Sequence, residues 1–163
     1  MKQKRKAEVV ALPLFHVVGY KVEASVQEFE SGLGKQTYHS LIERKAEIVH
    51  RKNDHILLIQ IYPMDAEFNP QSDRFTNIVC CEVSELCDVP LHMASHTVAE
   101  SKYAVYTHKG PESELSRSYG YLYGEWMEET GHVPQHYDFE IWDERYHPES
   151  LDNEIDIFVA LKG

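Results

Sequence analysis

The order strand, helix, strand, strand occurs twice along this chain, over about residues 8–84 and again over about 91–162. The third elements of the two units are the runs HILLIQIY and DFEIWDE, the fourth elements are IVCCEVS and IDIFVAL, and Phe15 and Tyr103 hold equivalent places. Each predicted helix has one apolar stripe and can bury only one side. The repeat therefore predicts a single α+β domain of duplicated, pseudo-two-fold symmetric units. They share an antiparallel sheet that carries both helices on one face.

Hydrophobic periodicity assigns the individual elements. One long strand is predicted over 8–24, bent near Pro13 and Gly19, followed by a polar connection over 25–36 and a helix over about 37–50. Buried strands are predicted over 55–62 and 75–83, with an acidic loop over 63–74. The second unit is predicted to hold a strand pair or one bent strand over 91–108, a helix over about 112–130, and strands over 138–144 and 154–161.

The charge balance of the chain restricts its partners. The formal net charge is −11, and nucleic acid attracts basic surfaces, so direct binding of DNA or RNA is not expected. An acidic surface is compatible with a cationic ligand. The chain has 10 histidines, but a zinc site needs three or four convergent ligands. The sequence shows no such spacing and no phosphate-binding glycine loop, so neither a metal nor a cofactor is expected.

The N-terminal run and the cysteines predict a cytoplasmic protein. The run MKQKRKAEVVALPLF superficially resembles a signal peptide, but Glu8, Pro13 and His16 interrupt it and no small-residue cleavage site follows. No stretch approaches the ~20 apolar residues of a membrane span. The three cysteines show neither a disulfide framework nor a metal-binding spacing, which is typical of reduced thiols.

The stretch from residue 101 to 131 is unusually rich in aromatic side chains: Tyr103, Tyr106, Tyr119, Tyr121, Tyr123 and Trp126 all fall within it. The helical spacing of Leu115, Tyr119, Leu122 and Trp126 favours a core position for that stripe. Each buried tyrosine hydroxyl needs a hydrogen-bond partner. So many amphipathic rings are better suited to a pocket wall than to a dry core, although Tyr121 could equally lie on the surface.

The segment DFEIWDE contains the best candidate for a charged ligand-binding residue. Strand alternation puts Phe139 and Ile141 on one face, and Glu140 and Trp142 on the other. A carboxylate beside an indole offers a cation both a negative charge and a π face. If this face is buried, the pKa of Glu140 should be raised or the carboxylate should have a bound partner. The alternative is an exposed polar face that carries one tryptophan.

Three segments, SKYAVYTHKGP, YLYGEW and DFEIWDERYHPES…NEIDIFVALK, resemble the gyrase-inhibitor-like small-molecule-binding family. That family also supplies the effector-binding domains of AraC-type and MerR-type multidrug transcription regulators. The resemblance is strong over about 98–162 and weaker over 8–97. It implies the duplicated fold described above and a central cleft for hydrophobic, often cationic, compounds. Its pocket glutamate lies in a motif that matches Phe139-Glu140-Ile141-Trp142 here, with Trp142 where tyrosine is commoner. Regulators of the family carry a DNA-binding domain ahead of this module; the chain starts at its first strand, so a stand-alone member is expected.

Three functions remain open at this point. The first is an effector-binding module that binds or sequesters amphipathic small molecules, which we expect to be cationic. Its ligand-binding residues would be Glu140, Trp142, Tyr106, Tyr121, Tyr123 and Trp126. The second, implied by the resemblance, is a hydrolase of reactive cyclopropane-containing compounds, with Glu140 as general base. The third is an inhibitory interaction with a protein partner such as DNA gyrase. All three assume a protein that does not bind a membrane.

Overall fold

A computed structural model describes residues 6–163, which form one eight-stranded antiparallel sheet. The strands are β1 (Glu8–Leu12), β2 (Phe15–Ala24), β3 (Ile56–Ile61), β4 (Phe75–Val83), β5 (Ala94–Val98), β6 (Ser101–Lys109), β7 (Pro134–Trp142) and β8 (Glu154–Leu161). Their spatial order is β1-β6-β8-β7-β3-β4-β2-β5. The strands predicted over 55–62, 75–83 and 154–161 are confirmed almost to the residue, whereas β7 begins four positions earlier than predicted.

The strand order is symmetric about the central β7–β3 pair. Read outward from that pair, one half of the sheet is β7-β8-β6-β1 and the other is β3-β4-β2-β5. These are the elements that the repeat makes equivalent, so the predicted duplicated α+β architecture is confirmed. The edge strands β1 and β5 are exchanged between the halves, because β1 pairs with β6 and β5 pairs with β2. The repeat boundaries at about 8–84 and 91–162 stay a prediction.

The single strand predicted over 8–24 is in fact two strands that lie in different halves of the sheet. The break falls at Pro13 and Leu14. Proline has no N–H to donate to a ladder, so continuous pairing stops there. The chain then leaves the edge beside β6 and enters β2, which pairs with β4 on one side and β5 on the other.

The connection predicted over 25–36 is largely helical. It contains α1 (Val26–Glu28) and a π-helical turn (Phe29–Leu33), which leads into α2 (Gly34–Arg44) and a 3-10 turn (Lys45–Glu47). A capping box starts it: the Glu28 N–H donates to the Ser25 Oγ and the Ser25 N–H donates to the Glu28 Oε1, both at 3.2 Å. The polar composition of this stretch hid that signal. Gly32, with a φ of 137°, kinks the helix without ending it.

Both helical segments cover the same face of the sheet. The second is a 3-10 turn (Glu112–Glu114), α3 (Leu115–Gly120), a π-helical turn (Tyr121–Trp126) and α4 (Met127–Thr130), close to the predicted 112–130. Leu41 of the first segment and Leu122 and Trp126 of the second belong to one hydrophobic core with sheet residues such as Leu58 and Ile157. The left-handed Gly131 (φ 74°) ends the second helix.

The opposite face of the sheet is buried by curvature. The rings of Phe15 on β2 and Phe139 on β7 are 5.5 Å apart and meet edge to face. Three strand spacings, about 14 Å, would separate them in a flat sheet. The sheet therefore folds over on this side, and Tyr103, Ile59 and Phe139 share a second core there. Odd- and even-numbered positions of β7 are thus both buried, on different faces.

The capping box predicts a measurable contribution to stability. Ser25→Ala removes the side chain that caps the first helical segment, and we expect it to lower the free energy of unfolding by ~1 kcal/mol. Urea denaturation followed by circular dichroism measures this change. Gln36→Ala, at an exposed helical position, is the matched control and should be neutral; equal behaviour of the two variants would contradict the assignment of this cap.

Candidate functional site

The face of β7 that points at the helices carries two buried carboxyl groups. Asp138 and Glu140 are 0% and 2% exposed, and Trp142 continues the same face. β7 pairs with β3 in the middle of the sheet, with Gln60 opposite Asp138. The two carboxyl groups therefore lie where the two halves of the molecule meet, beneath the second helical segment.

Glu140 is held by a tyrosine and the neighbouring indole. The Trp142 Nε1–H donates to its Oε1 at 2.9 Å, and the Tyr119 hydroxyl donates to its Oε2. The same Tyr119 hydroxyl lies 3.2 Å from the Oε1 of Gln60. A hydroxyl has one proton, so Tyr119 can satisfy only one of these acceptors at a time.

Asp138 accepts both of its hydrogen bonds on one oxygen. The Tyr62 and Tyr123 hydroxyls lie 2.7 and 2.6 Å from its Oδ2. Its Oδ1 is buried and has no hydrogen-bond partner among the described residues. A buried acceptor left unpaired costs about 1–3 kcal/mol, so this atom marks a place where a ligand group or a proton would be stabilising.

The second helical segment supplies two of these tyrosines from one side. Tyr119 and Tyr123 are four residues apart, so they project from the same side of a helix. Their rings stack at 6.4 Å with an interplanar angle of 15°. Tyr123 lies within the π-helical turn. Turns of this kind are frequent at functional sites.

Beside Glu140 the site has an aromatic wall. The Trp142 ring stacks on that of Tyr146 at 4.9 Å and 7°, and the Tyr38 ring packs against both at 5.6 and 5.9 Å. The Tyr146 hydroxyl donates to the Oε2 of Glu112 at 2.6 Å. Burial raises the pKa of Glu112 above its usual range, although the Tyr146 bond opposes this.

Burial sets the pKa values of the two carboxyl groups, Asp138 and Glu140. Loss of water raises the pKa of Asp138 from 3.8 to about 7, against the lowering effect of Tyr123 and Tyr62. It likewise raises the pKa of Glu140 from 4.5 to about 7, against the hydrogen bonds from Tyr119 and Trp142. Within the part of the chain that the structure describes, neither carboxylate forms an ion pair with a Lys, Arg or His side chain.

The carboxylate cluster also has more hydrogen-bond acceptors than protons to fill them. Three tyrosine hydroxyls and one indole N–H face the Gln60 carbonyl and four carboxylate oxygens. Two of the four protons go to a single oxygen of Asp138, so acceptors are left over. A proton on a carboxyl group, or a cation from outside, would complete the network.

The sequence pattern of the GyrI-like small molecule binding domain matches residues 6–162, almost the whole chain. The chain belongs to the GyrI-like small molecule binding domain family. One curated relative, the transcriptional regulator BrlR of Pseudomonas aeruginosa, is 29% identical over 157 residues. That match covers 95% of this chain but 55% of BrlR, so the chain spans about half the length of this relative.

Solved structures share the fold of this GyrI-like domain. SAV2435, solved bound to tetraphenylphosphonium, has a TM-score of 0.72 at 17% identity and covers 98% of this chain and 95% of its own. EcmrR in a DNA complex has a TM-score of 0.71 at 17% identity, over 96% of this chain and 57% of EcmrR. A hydrolase encoded by lin2189 of Listeria innocua has a TM-score of 0.58 at 12% identity, over 98% of this chain and 93% of the hydrolase. At these identities the likeness shows the fold alone.

The GyrI-like domain brings together only half of the six residues predicted to bind a ligand. Glu140, Trp142 and Tyr123 belong to the carboxylate cluster. The Tyr106 and Tyr121 rings pack on each other at 4.8 Å, and the Tyr121 hydroxyl accepts from the Ala7 N–H. Trp126 is buried in the core, and its ring stacks on that of His132 at 5.1 Å. The role of all six as ligand-binding residues stays a prediction.

Sequence reasoning missed four members of the cluster: Gln60, Tyr62, Tyr119 and Asp138. Tyr119 was predicted to fill the core with Leu122, because its spacing fits the apolar stripe. Asp138 precedes Glu140 by two residues, so the strand alternation that singled out Glu140 also places Asp138 on its face. Gln60 and Tyr62 had a weaker signal, which was polar groups at the end of an otherwise apolar strand.

Two surface cavities of the domain lie outside the carboxylate cluster. One, of about 330 Å³, is lined by Ile48, His50, Arg51, Asn53 and Asp54. The other, of about 390 Å³, is lined by Tyr106, Thr107, His108, Lys109, Arg117 and Ser118. Glu140 is instead buried, with its Oε1 accepting from the Trp142 indole and its Oε2 from the Tyr119 hydroxyl.

One group of described residues has the donor types of a metal site: His55, Asp143 and Glu144, whose ligand atoms all lie within 4.8 Å. Asp143 already accepts from the Nε and Nη2 of Arg145, at 3.0 and 2.7 Å. A metal ion there would have to compete with this guanidinium. In the described part of the chain, no helix is long and apolar enough to cross a membrane.

The raised pKa values predict an unusual dependence of stability on pH. A carboxyl group whose pKa is higher in the folded than in the unfolded state binds more protons when folded, so its contribution to stability falls as pH rises between the two values. From pH 4 to about pH 7, we expect the wild type to lose stability relative to Asp138→Asn/Glu140→Gln. Urea denaturation of both proteins across this range tests it, since every other titrating group is common to both. A constant difference would show that the pair titrates normally.

Proposed function

We propose that this chain binds amphipathic cationic small molecules at the centre of its sheet, with Glu140 as the partner of the positive charge. The observation that carries the proposal is the burial of a carboxyl group among aromatic rings and hydrogen-bond donors, with no ion pair to a cationic side chain of residues 6–163. A buried carboxylate without a counter-ion is costly. A ligand that brings the charge removes this cost.

The chemistry of the surroundings favours a lipophilic cation over a small inorganic one. The rings of Trp142, Tyr146 and Tyr38 offer flat π faces beside the carboxyl group. A cation over such a face gains about 0.5–2 kcal/mol, more when it is desolvated. An organic cation with aromatic substituents would use the charge, the π faces and the apolar area together.

Entry of the ligand would require the second helical segment to give way. In the structure the Tyr119 hydroxyl occupies the Oε2 of Glu140. Rotation of the Tyr119 side chain, eased by the adjoining π-helical turn (Tyr121–Trp126), would free this oxygen. We propose that the tyrosine hydroxyls donate hydrogen bonds to the carboxyl groups in the free protein and are replaced there by the ligand when it binds.

The comparisons support this proposal at the level of the family and of individual neighbours. A GyrI-like domain is a small-molecule-binding domain by its family description, and SAV2435 was solved bound to tetraphenylphosphonium, a lipophilic cation. BrlR is a transcriptional regulator and EcmrR forms a DNA complex. We propose that this chain senses or sequesters ligands in the way that the effector-binding domain of a transcriptional regulator does. The alternative is that it acts on a protein partner.

A hydrolase is the second candidate, and one observation favours it. The site holds two carboxyl groups two residues apart, and burial raises the pKa of each to about 7. A pKa near the working pH suits a general acid or base. Glu140 would activate water for attack on an electrophilic cyclopropane, and a tyrosine hydroxyl would orient the substrate.

Replacement of Glu140 tests the proposed binding function. Glu140→Gln keeps the shape of the side chain and removes its charge. We expect it to weaken binding of tetraphenylphosphonium at least about tenfold, equivalent to ~1.4 kcal/mol. Binding of triphenylphosphine oxide, which has similar rings and no net charge, should be nearly unchanged because the aromatic walls remain.

The control is Glu128→Gln, the same substitution at an exposed position of α4. Its affinities should equal those of the wild type. If Glu140→Gln binds both probes like the wild type in fluorescence titrations at low and moderate salt, the site would have to move to Glu125, Glu144 or Glu154. Turnover of a cyclopropane substrate by the wild type, and its loss in Glu140→Gln with substrate binding retained, would favour the enzyme.

Binding should also release protons. Because burial raises the pKa of Glu140 to about 7, part of the free protein is protonated there at neutral pH. A bound cation stabilises the carboxylate and lowers its pKa, so the proton leaves. Titration calorimetry of tetraphenylphosphonium at pH 7 should therefore show a heat that varies with the ionisation enthalpy of the buffer. A heat independent of the buffer would contradict a buried, protonated Glu140.

A further inference from the structure

Asp138 has the features of a second ligand-binding group, which a site built on Glu140 alone does not require. It is fully buried, its Oδ1 has no partner among the described residues, and its Oδ2 is fixed by two tyrosine hydroxyls. Two hydrogen bonds to one oxygen orient the carboxyl group firmly. The unpaired oxygen thus belongs to a carboxyl group fixed on the same face of β7 as Glu140.

Each of the two carboxyl groups has its own aromatic surroundings. Glu140 lies against Trp142, whose ring stacks on that of Tyr146. Asp138 is bonded to Tyr62, whose ring packs against those of Phe75 and Phe68 at 4.9 and 6.0 Å. The ring of Tyr119, whose hydroxyl is bonded to Glu140, stacks on that of Tyr123, whose hydroxyl is bonded to Asp138. The site therefore repeats the combination of a carboxyl group and π faces at two places.

Charge balance decides which ligand can use both places. A ligand with one positive charge compensates one carboxylate, and the other must stay protonated or remain a buried, uncompensated charge. Among the residues that the structure describes, the titratable groups that face the pair are Tyr62 after β3, Tyr119 and Tyr123 of the second helical segment, Tyr146 and Glu112. None of these supplies a positive charge.

We infer that Asp138 is a second charge-binding and specificity-determining residue, and that the site takes flat aromatic dications with positive centres at both ends. This inference rests on the proposed function, because it requires that cations reach Glu140. Side chains two apart on one face of a strand are separated by roughly 7 Å. A rigid two-ring core with a quaternary nitrogen at each end matches this separation, and its rings would lie among the tyrosines.

A matched pair of probes tests the inference. Benzyl viologen carries a quaternary nitrogen on each ring of a bipyridinium core, and 1-benzyl-4-(4-benzylphenyl)pyridinium has a two-ring core of the same shape and both benzyl groups but only one charge. The wild type should prefer the dication. Asp138→Asn keeps the size of the side chain and the oxygen that accepts from Tyr62 and Tyr123. We expect this variant to bind the dication at least about tenfold more weakly than the wild type does, and its affinity for the monocation to change by less than about twofold.

The two proposals fail in different ways. If Glu140→Gln leaves both probes unchanged, the proposed cation site itself is wrong. Suppose that Glu140→Gln lowers the affinity for both probes, whereas Asp138→Asn lowers neither affinity or lowers both equally. The cation site would then stand and the inference about Asp138 would be overturned.

A second measurement needs no variant and guards against misfolding of Asp138→Asn. Calorimetry of the wild type at pH 7 in buffers of different ionisation enthalpy counts the protons released by each probe. The dication should release more protons than the monocation, because it brings both carboxyl groups into the ionised form. Equal release by the two probes would overturn the inference.

Discussion

The burial of two carboxyl groups that form no ion pair with any described residue is the constraint on which this structure depends. Each would be unstable in an apolar core, and four polar hydrogens from Tyr62, Tyr119, Tyr123 and Trp142 make it tolerable. Tyrosine suits this purpose because its ring packs like a hydrophobic side chain while its hydroxyl reaches a partner. The buried carboxyl groups thus explain two of the four aromatic residues of the second helical segment, Tyr119 and Tyr123.

The duplicated architecture places this cluster where the two repeats meet in the sheet. The symmetry of the strand order makes β3 and β7 the central pair, but the two strands carry different chemistry. Register sets Leu58 opposite Glu140 and Gln60 opposite Asp138. One repeat therefore contributes acidic groups and the other contributes apolar and amide groups. Duplication supplies a shared seam between two halves, and divergence of the two central strands puts the buried carboxyl groups on one side of it.

Much of the fold could be predicted from the sequence because two-residue alternation and helical spacing are strong signals. They gave the repeat order, the bounds of β4 and β8 and the face of Glu140. The capping box at Ser25 was hidden in a polar stretch, and the break at Pro13 was read as a bend because both sides continue the same alternation. The grouping of Tyr106 with Tyr121, away from Glu140, depends on tertiary packing, which periodicity does not contain.

The free protein and its proposed ligand compete for the same donors and acceptors. While unliganded, Glu140 satisfies its oxygens internally, and the acceptors that remain in the cluster favour bound protons. A ligand must break the Tyr119 contact and expel a proton before it gains from the charge and the rings. Its net affinity is therefore the difference between two large effects. If the proposal holds, a neutral compound would lose this hydrogen bond without compensation, and the tyrosine-capped carboxyl group would select against it. The proposed selectivity for cations would then follow from the closed state as much as from the open one.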